Sequence, residues 1–238
     1  MKRFVKISLT ILLIIAIAAG AFIFRQRDNI AALIKGTQYS SEELQSQLDS
    51  KREELKTKLD KYTSLPIKDL TAEDEKKLFK GEITVEEISE KYKLPLNVMK
   101  EEDKKATDGD VNNSSGSTTD NSEAADKVIS DSVSKLYAMK AKYVTKLGEL
   151  ERTIYNEYSS LPKEKQNAKS KKEIVTKNLN YIAALEQKCD KEVEEVLSAL
   201  KNELIKLKED TEIIGILNEA YKNEKELKKS YYISIYND

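Results

Sequence analysis

Two hydrophobic patterns divide this chain. Residues 7–24, ISLTILLIIAIAAGAFIF, carry no charge, and a helix of this length reaches about 27 Å, close to the ~30 Å hydrocarbon core of a bilayer. Beyond residue 25, apolar residues recur every three or four positions among many charged ones, which is typical of amphipathic helices in water. The sequence therefore predicts an all-α fold, with an N-terminal transmembrane helix followed by long amphipathic helices.

The flanks of the apolar run indicate how it is used. Residues 1–6 form a basic flank, as in a signal sequence or a signal anchor. Small residues at 16–18 and 19–21 would permit cleavage, but the run continues to Phe24 and exceeds the usual cleaved segment of about 7–15 residues. We expect an uncleaved single-pass anchor in the cell membrane, with the C-terminal body outside the cytoplasm. The alternatives are the reverse orientation and a secreted helical protein released by cleavage.

Residues 25–103 are predicted to form a membrane-proximal helical stalk module. Two helix starts within it carry a capping box, formed by Ser40 with Glu43 and by Thr84 with Glu87. In such a box each side chain bonds the free backbone N–H of the other residue. Both positions therefore predict the first turn of a helix.

The ends of these helices are marked as well. The helix after the first capping box should end at Leu65, because Pro66 disfavours helical geometry in the residue before it. A second helix is predicted between Thr71, as its cap, and Lys80, with Gly81 ending it.

Residues 84–95, TVEEISEKYKLP, resemble the first half of a helix-turn-helix. In that motif the next helix enters the DNA groove and needs basic residues for the phosphates. Here residues 97–103 read NVMKEED, and residues 67–105 carry a net charge of about −2. We therefore expect a small helical packing unit rather than a DNA-binding one.

Residues 104–126 separate the two halves of the water-exposed chain. They consist mainly of Asn, Ser, Thr, Asp and Gly, so they bury too little apolar surface to offset their ordering entropy. We predict a disordered linker over this range.

Residues 127–238 are predicted to form a C-terminal helical bundle, either a coiled-coil-like antiparallel hairpin or a three-helix bundle. Three apolar stripes at helical spacing indicate it. The first comprises Leu136, Met139, Tyr143, Leu147, Leu150, Ile154, Tyr158 and Leu161. The second comprises Val175, Leu179, Ile182, Leu185, Cys189, Val193, Val196, Leu200, Leu204 and Leu207. The third comprises Ile213, Ile214, Leu217, Ala220, Tyr221, Glu224, Leu227 and Tyr231, with Glu224 as its polar member.

The chemistry available excludes several classes of function. The chain has no histidine, so the usual general base and the commonest metal ligand are missing. We predict no enzyme activity, no cofactor and no metal. The single thiol, Cys189, lies on an apolar stripe and is expected to act as a small hydrophobe. With 41 basic and 42 acidic residues, the balanced charge predicts no nucleic-acid partner, and no small-molecule ligand is evident.

Two stretches are candidate interaction surfaces. The turn between the first two stripes holds six lysines against two glutamates and is either a solvated loop or a contact for an anionic polymer or headgroup. The C-terminal end is rich in tyrosine and isoleucine, and it either packs back on the bundle or forms an exposed patch. The candidate residues are Lys163, Lys165, Lys169, Lys171, Lys172, Lys177, Tyr231, Tyr232 and Tyr236.

These features predict a structural or protein-interaction role, that of a scaffold at the cell envelope. The expected partners are the lipid bilayer, through residues 7–24, and a protein partner or a second copy of this chain, through the helical faces. The alternative is the sensory or regulatory ectodomain of a signalling system.

Overall fold

The computed structural model describes residues 35–66, 69–100 and 121–237, and in these ranges the chain is helical without a strand. The all-α prediction is confirmed. None of the helices in these ranges is long and apolar enough to cross a bilayer. The predicted transmembrane segment 7–24 and its flank 1–6 lie outside the described residues.

The helical elements follow in a simple order. After a helical segment at residues 35–38, they are α1 (Ser41–Leu59), α2 (Ala72–Lys80), α3 (Val85–Tyr92), α4 (Leu96–Met99), α5 (Asn121–Ser159), a 3₁₀ turn (Lys163–Lys165), α6 (Ala168–Leu207) and α7 (Glu212–Asn237). At 1.5 Å per residue, α5 and α6 each extend about 60 Å.

Both predicted capping boxes are confirmed by hydrogen bonds. The Ser40 N–H donates to Glu43 Oε2 at 2.9 Å, and the Glu43 N–H donates to Ser40 Oγ at 3.2 Å. Thr84 and Glu87 form the same reciprocal pair, at 2.7 and 3.2 Å. Local side-chain chemistry thus fixes where α1 and α3 begin.

The end of α1 differs from the prediction, because the helix stops at Leu59 rather than at Leu65. The chain turns there, with the Tyr62 N–H on the Leu59 carbonyl at 2.8 Å. Ser64 then donates from its N–H and its Oγ to Asp126 Oδ2 on α5, at 3.0 and 2.6 Å. These bonds hold the segment out of the helix, and they lower the pKa of the Asp126 carboxyl.

The start of α5 overlaps the last residues of the predicted linker 104–126. Residues 121–126 are the first turns of this helix, whereas 104–120 lie outside the described part of the chain. Ala125 is buried, and Asp126 is bonded to Ser64. Burial and tertiary hydrogen bonds therefore stabilise a helical segment that its polar composition alone disfavours.

The segment that resembles a helix-turn-helix has no second long helix within the described residues. α3 is followed by α4, which is only four residues long, and the Met99 side chain is buried in the core. Lys100 pairs with Glu86 of α3 at 2.9 Å. The arrangement is that of a compact packing unit.

Two compact units make up the chain. The larger is residues 58–215, and the described part of the smaller joins residues 35–57 to residues 216–237. The predicted stalk module 25–103 and the predicted bundle 127–238 each contribute residues to both units.

The smaller unit has a core of leucines. Leu44 and Leu48 of α1 form a buried cluster with Leu227 of α7. Beside it, Arg52 Nη2 donates to Glu224 Oε1 at 3.0 Å. This ion pair accounts for the one polar member of the third stripe, because Glu224 meets a basic partner on α1.

In the larger unit, α5 and α6 lie side by side. Lys142 of α5 pairs with Glu192 of α6 at 2.8 Å, and fifteen residues farther along α5, Glu157 pairs with Lys177 at 2.9 Å. Fifteen residues forward along α5 correspond to fifteen back along α6, so the two helices form an antiparallel hairpin. Buried members of the first two stripes are Met139, Tyr143, Leu150, Leu185, Val193, Leu200 and Leu204.

A second face of α5, which the stripes do not reveal, binds the short helices α2, α3 and α4. It includes the small side chains of Ala138 and Ala141, which let these helices approach closely. The buried cluster contains Leu70, Leu78, Ile88, Tyr92, Leu94, Met99, Ala138, Ala141 and Val144. Helix α5 therefore packs on α6 with one face and on the short helices with another.

The closest approach in this cluster is at Gly148. A Cβ atom at this position would lie 1.8 Å from the carbonyl oxygen of Phe79, near the end of α2. The same oxygen accepts a hydrogen bond of 2.7 Å from Arg152 Nη1. The missing side chain lets α2 meet α5, and the guanidinium complements the negative end of the α2 dipole.

Charged groups are buried at the same interface, and each described one has a partner. Lys140 of α5 pairs with Glu75 at 2.7 Å and with Asp69 at 3.0 Å, and Glu75 is almost fully buried. A buried carboxylate that loses its cation costs several kcal/mol, roughly 3–5. This pair therefore makes the docking of α2 depend on a lysine of α5.

The buried Asp74 carboxylate of α2 accepts three side-chain hydrogen bonds on its Oδ2 atom. Burial by itself would raise the pKa of this carboxyl, but hydrogen bonds from Lys91 at 2.7 Å, from the Tyr92 hydroxyl and from Thr71 at 3.0 Å outweigh it, so the pKa is lowered. The folded state therefore favours the ionised carboxylate of Asp74.

The Gly148 contact gives a first prediction. Gly148→Ala should destabilise the larger unit by about 1–3 kcal/mol or more, because a methyl group has no room against a backbone carbonyl. Gly215→Ala is the control, since a Cβ there meets nothing within 4 Å, and it should stabilise by roughly 0.5–1 kcal/mol. Urea denaturation followed by circular dichroism measures both. Equal effects at the two glycines would contradict the close approach.

Asp74 gives a second prediction, on pH. Because its folded-state pKa is lowered, its stabilising contribution is present above the unfolded value of 3.8 and is lost as the pH falls through the folded value. The free energy of unfolding should therefore fall less steeply below about pH 4 in Asp74→Asn than in the parent chain. The substitution should cost about 1–3 kcal/mol near neutral pH. The exposed control Glu90→Gln should keep the parent's pH dependence, and an unchanged acid slope in Asp74→Asn would exclude this role.

Candidate interaction surface

The turn between α5 and α6 is closed by its own polar groups. Gln166 Nε2 donates to the carbonyls of Ser159 and Leu161, at 3.2 and 2.8 Å. Asn167 caps α6, since its Oδ1 accepts from the Lys169 and Ser170 N–H groups at 3.0 and 3.1 Å. The backbone of the turn is satisfied by these residues, so its shape does not require the lysine side chains.

The lysines predicted as a candidate surface cluster around this turn. Lys163 and Lys165 lie on the 3₁₀ turn and Lys169 in the first turn of α6, and all three are exposed. Lys177 is exposed as well and pairs with Glu157 at 2.9 Å. The side chains of Lys171 and Lys172 lie outside what the structure describes. The described lysines thus form a basic patch at the end of the hairpin.

Of the three tyrosines predicted as a candidate surface, the structure describes the side chain of Tyr231 only. Tyr231 is half-buried and packs on the cluster of Leu44, Leu48 and Leu227 in the smaller unit. It contributes to a core, but this core includes leucines of α1, which the prediction assigns to the stalk module and not to the bundle. The side chains of Tyr232 and Tyr236 lie outside the described part of the chain.

Two tyrosines that were not predicted as candidates are exposed on the hairpin. Tyr155 of α5 is 69% exposed and Tyr181 of α6 is 50% exposed. Both lie outside the apolar stripes, which is the one sequence signal that could have identified them. A tyrosine offers a large apolar surface with a polar hydroxyl group, which suits contact with a partner.

The register of the hairpin places these two tyrosines at a similar height along its axis. The Glu157–Lys177 pair places Tyr155 and Tyr181 within about one helical turn of each other along the axis. Tyr155 follows Gly148, which faces α2, by one heptad. Since residues seven apart share a helix face, Tyr155 lies on the face of α5 that carries the short helices.

A cleft of about 480 Å³ lies between α4, α5 and α6. Val98, Met139 and Val196 form apolar parts of its wall. Lys142 and Glu192 also line it and are bonded to each other at 2.8 and 2.9 Å. The cleft therefore offers apolar surface beside an ion pair.

Two further kinds of site, a reactive thiol and a metal site, were predicted to be absent or inert and are considered for the described ranges. Cys189 is half-buried on α6 and takes part in no disulfide. The part of the chain that the structure describes contains no group of three or more histidine, cysteine, aspartate or glutamate side chains that could hold a metal ion.

Comparison of the chain with protein family models, with curated proteins and with solved structures found no match in any of the three. The residues and their geometry are therefore the basis for any function assigned to the protein.

Proposed function

We propose that this protein is a single-pass, membrane-anchored helical scaffold at the cell envelope, whose body binds a partner through its helical faces. The observation that carries the proposal is the uncharged run at residues 7–24 ahead of a highly charged body. Such a run partitions into a bilayer, whereas the body keeps its charges in water.

The hairpin supports the interaction role within this proposal. Its end exposes Lys163, Lys165 and Lys169, and its side exposes Tyr155 and Tyr181. Tyrosine combines a large apolar surface with a polar group, and it is therefore enriched where proteins bind partners. None of these five side chains is required by the fold, so they are available for a partner.

A sensory or regulatory ectodomain is the second candidate, and the cleft between α4, α5 and α6 favours it. A small ligand with a charged group could compete for the Lys142–Glu192 pair while its apolar part contacts Met139. Ligand-dependent stabilisation of the body would favour this function over the scaffold.

The anchor gives the third prediction. The full chain should stay in the membrane fraction after washing with carbonate at high pH, whereas a variant lacking residues 7–24 should be released, because only the apolar run holds the chain in lipid. Protease added to intact cells should digest the body of the full chain. Release of the uncut full chain by carbonate, or a mature protein that begins beyond residue 18, would contradict the anchor.

A further inference from the structure

We propose that the cleft between α4, α5 and α6 binds a small amphipathic carboxylate, with its anionic group on Ser132 and Lys135 and its apolar chain on Met139. This site rests on the sensory candidate, for which it names the class of ligand, and it is independent of the membrane anchor. Three groups that line one cleft carry the proposal: a buried hydroxyl group, a lysine beside it and an apolar strip.

The Ser132 hydroxyl group is the first of these. Ser132 is only 7% exposed, and it lines the cleft. A helical serine or threonine can satisfy its hydroxyl group on the carbonyl four residues earlier, as Thr145 of the same helix does on Ala141 at 3.0 Å. In the ranges that the structure describes, the Ser132 hydroxyl makes no such bond to the protein. Because an unbonded buried hydroxyl is costly, a ligand atom that accepts a hydrogen bond is favoured here.

Lys135 supplies a positive charge beside this hydroxyl group. It follows Ser132 by three positions on α5, so the two side chains are neighbours on one helix face, and both line the cleft. Lys135 is exposed, and it takes part in no ion pair with the described residues. Lys142, by contrast, is paired with Glu192 at 2.8 Å. A carboxylate can therefore accept a hydrogen bond from Ser132 with one oxygen and from Lys135 with the other.

The middle of the cleft suits an apolar chain. Met139 of α5, Val98 of α4 and Val196 of α6 all line it. Lys142 lines it as well, ten residues from Ser132, which is about 15 Å along the helix. The volume of about 480 Å³ lies within the usual range of small-molecule sites, roughly 300–1,000 Å³. A linear molecule that is bound at Ser132 therefore has its chain on Met139.

The charges of the cleft favour a ligand with a single negative group. Four lysines and two glutamates line it, a net of +2. Both glutamates lie on α6, Glu192 beside Lys142 and Glu195 about one turn nearer to the Ser132 end. They attract no anion to that half of the cleft and repel a second anionic group on the same ligand. The site therefore favours a monoanion with an apolar chain over a dianion.

The fourth prediction uses octanoate as the probe and the full chain in nanodiscs of phosphatidylcholine, at about pH 8. The chain has three methionines, Met1, Met99 and Met139, so isotope-labelled methionine methyl groups report on the cleft by NMR. Octanoate should shift the Met139 signal saturably. The signal of Met99, which is buried in the core of the short helices, should shift much less. Met139→Leu assigns the signal, and empty nanodiscs measure the partition of octanoate into lipid.

Related probes separate the anionic group from the chain. Acetate lacks the apolar chain and octanol lacks the charge, so each should bind at least about tenfold more weakly than octanoate. Octyl phosphate, which is mainly a dianion at this pH, should also bind more weakly, because Glu192 and Glu195 repel the additional charge.

Matched variants test the two polar groups. Ser132→Ala should weaken octanoate binding by about tenfold and should keep or raise the thermal stability of the chain, since it removes a costly buried hydroxyl group. Its control is Ser134→Ala, on the same helix but not in the wall of the cleft, which should bind as the parent does. Lys135→Gln should weaken binding by about tenfold and reduce its salt dependence. The exposed control Lys127→Gln should change neither.

Four results would overturn the site: an unchanged Met139 signal, an equal shift at Met99, binding of octanol as tight as that of octanoate, or equal effects of Ser132→Ala and Ser134→Ala. A chain that binds octyl phosphate but not octanoate refutes the carboxylate and leaves the sensory candidate intact. Carbonate extraction of the source membranes tests the anchor separately. Octanoate binding by a chain that carbonate releases refutes the anchor alone.

Discussion

The antiparallel contact between α5 and α6 is the constraint on which the rest of the larger unit depends. Two ion pairs, fifteen residues apart along each helix, define its register: Lys142 with Glu192 and Glu157 with Lys177. Neither helix of about 60 Å could hold its apolar stripe in water alone, so each covers the stripe of the other. The same register places Tyr155 and Tyr181 at a similar height along the hairpin axis. The exposed Lys163, Lys165 and Lys169 lie at the end of the hairpin.

Helix α5 also explains how a chain with so many charges forms a second contact. Its small residues and Gly148 let the backbone of α2 come into direct contact with the backbone of α5. Arg152 donates a hydrogen bond to the Phe79 carbonyl at this contact. The buried Glu75 is matched by Lys140. Such pairs contribute little net stability compared with apolar residues, but an unpaired charge would be costly, so they fix which face of α5 the short helices bind.

Local chemistry made much of the fold predictable. The capping boxes at Ser40 and Thr84 and the two stripes of the hairpin follow from neighbouring residues, and the structure places them as expected. The end of α1 and the start of α5 depend on the bonds between Ser64 and Asp126, and the close approach of α2 depends on Gly148 against Phe79; no local pattern reveals either contact. The lysine turn was predictable from composition, but its tyrosine neighbours required the register between two helices.

The most direct test of this account is the distance between spin labels placed on α5 and α6, at Glu149→Cys and Ala184→Cys, in a chain whose native thiol is replaced by Cys189→Ser. Both positions are exposed and lie opposite each other in the antiparallel register. The account predicts a distance below about 20 Å, against about 36 Å or more for labels at Glu149→Cys and Glu209→Cys. The short distance should persist when labelled chains are diluted with unlabelled protein. A long distance, or a short one that disappears on dilution, would show that the helices do not pair within one chain and would contradict the account.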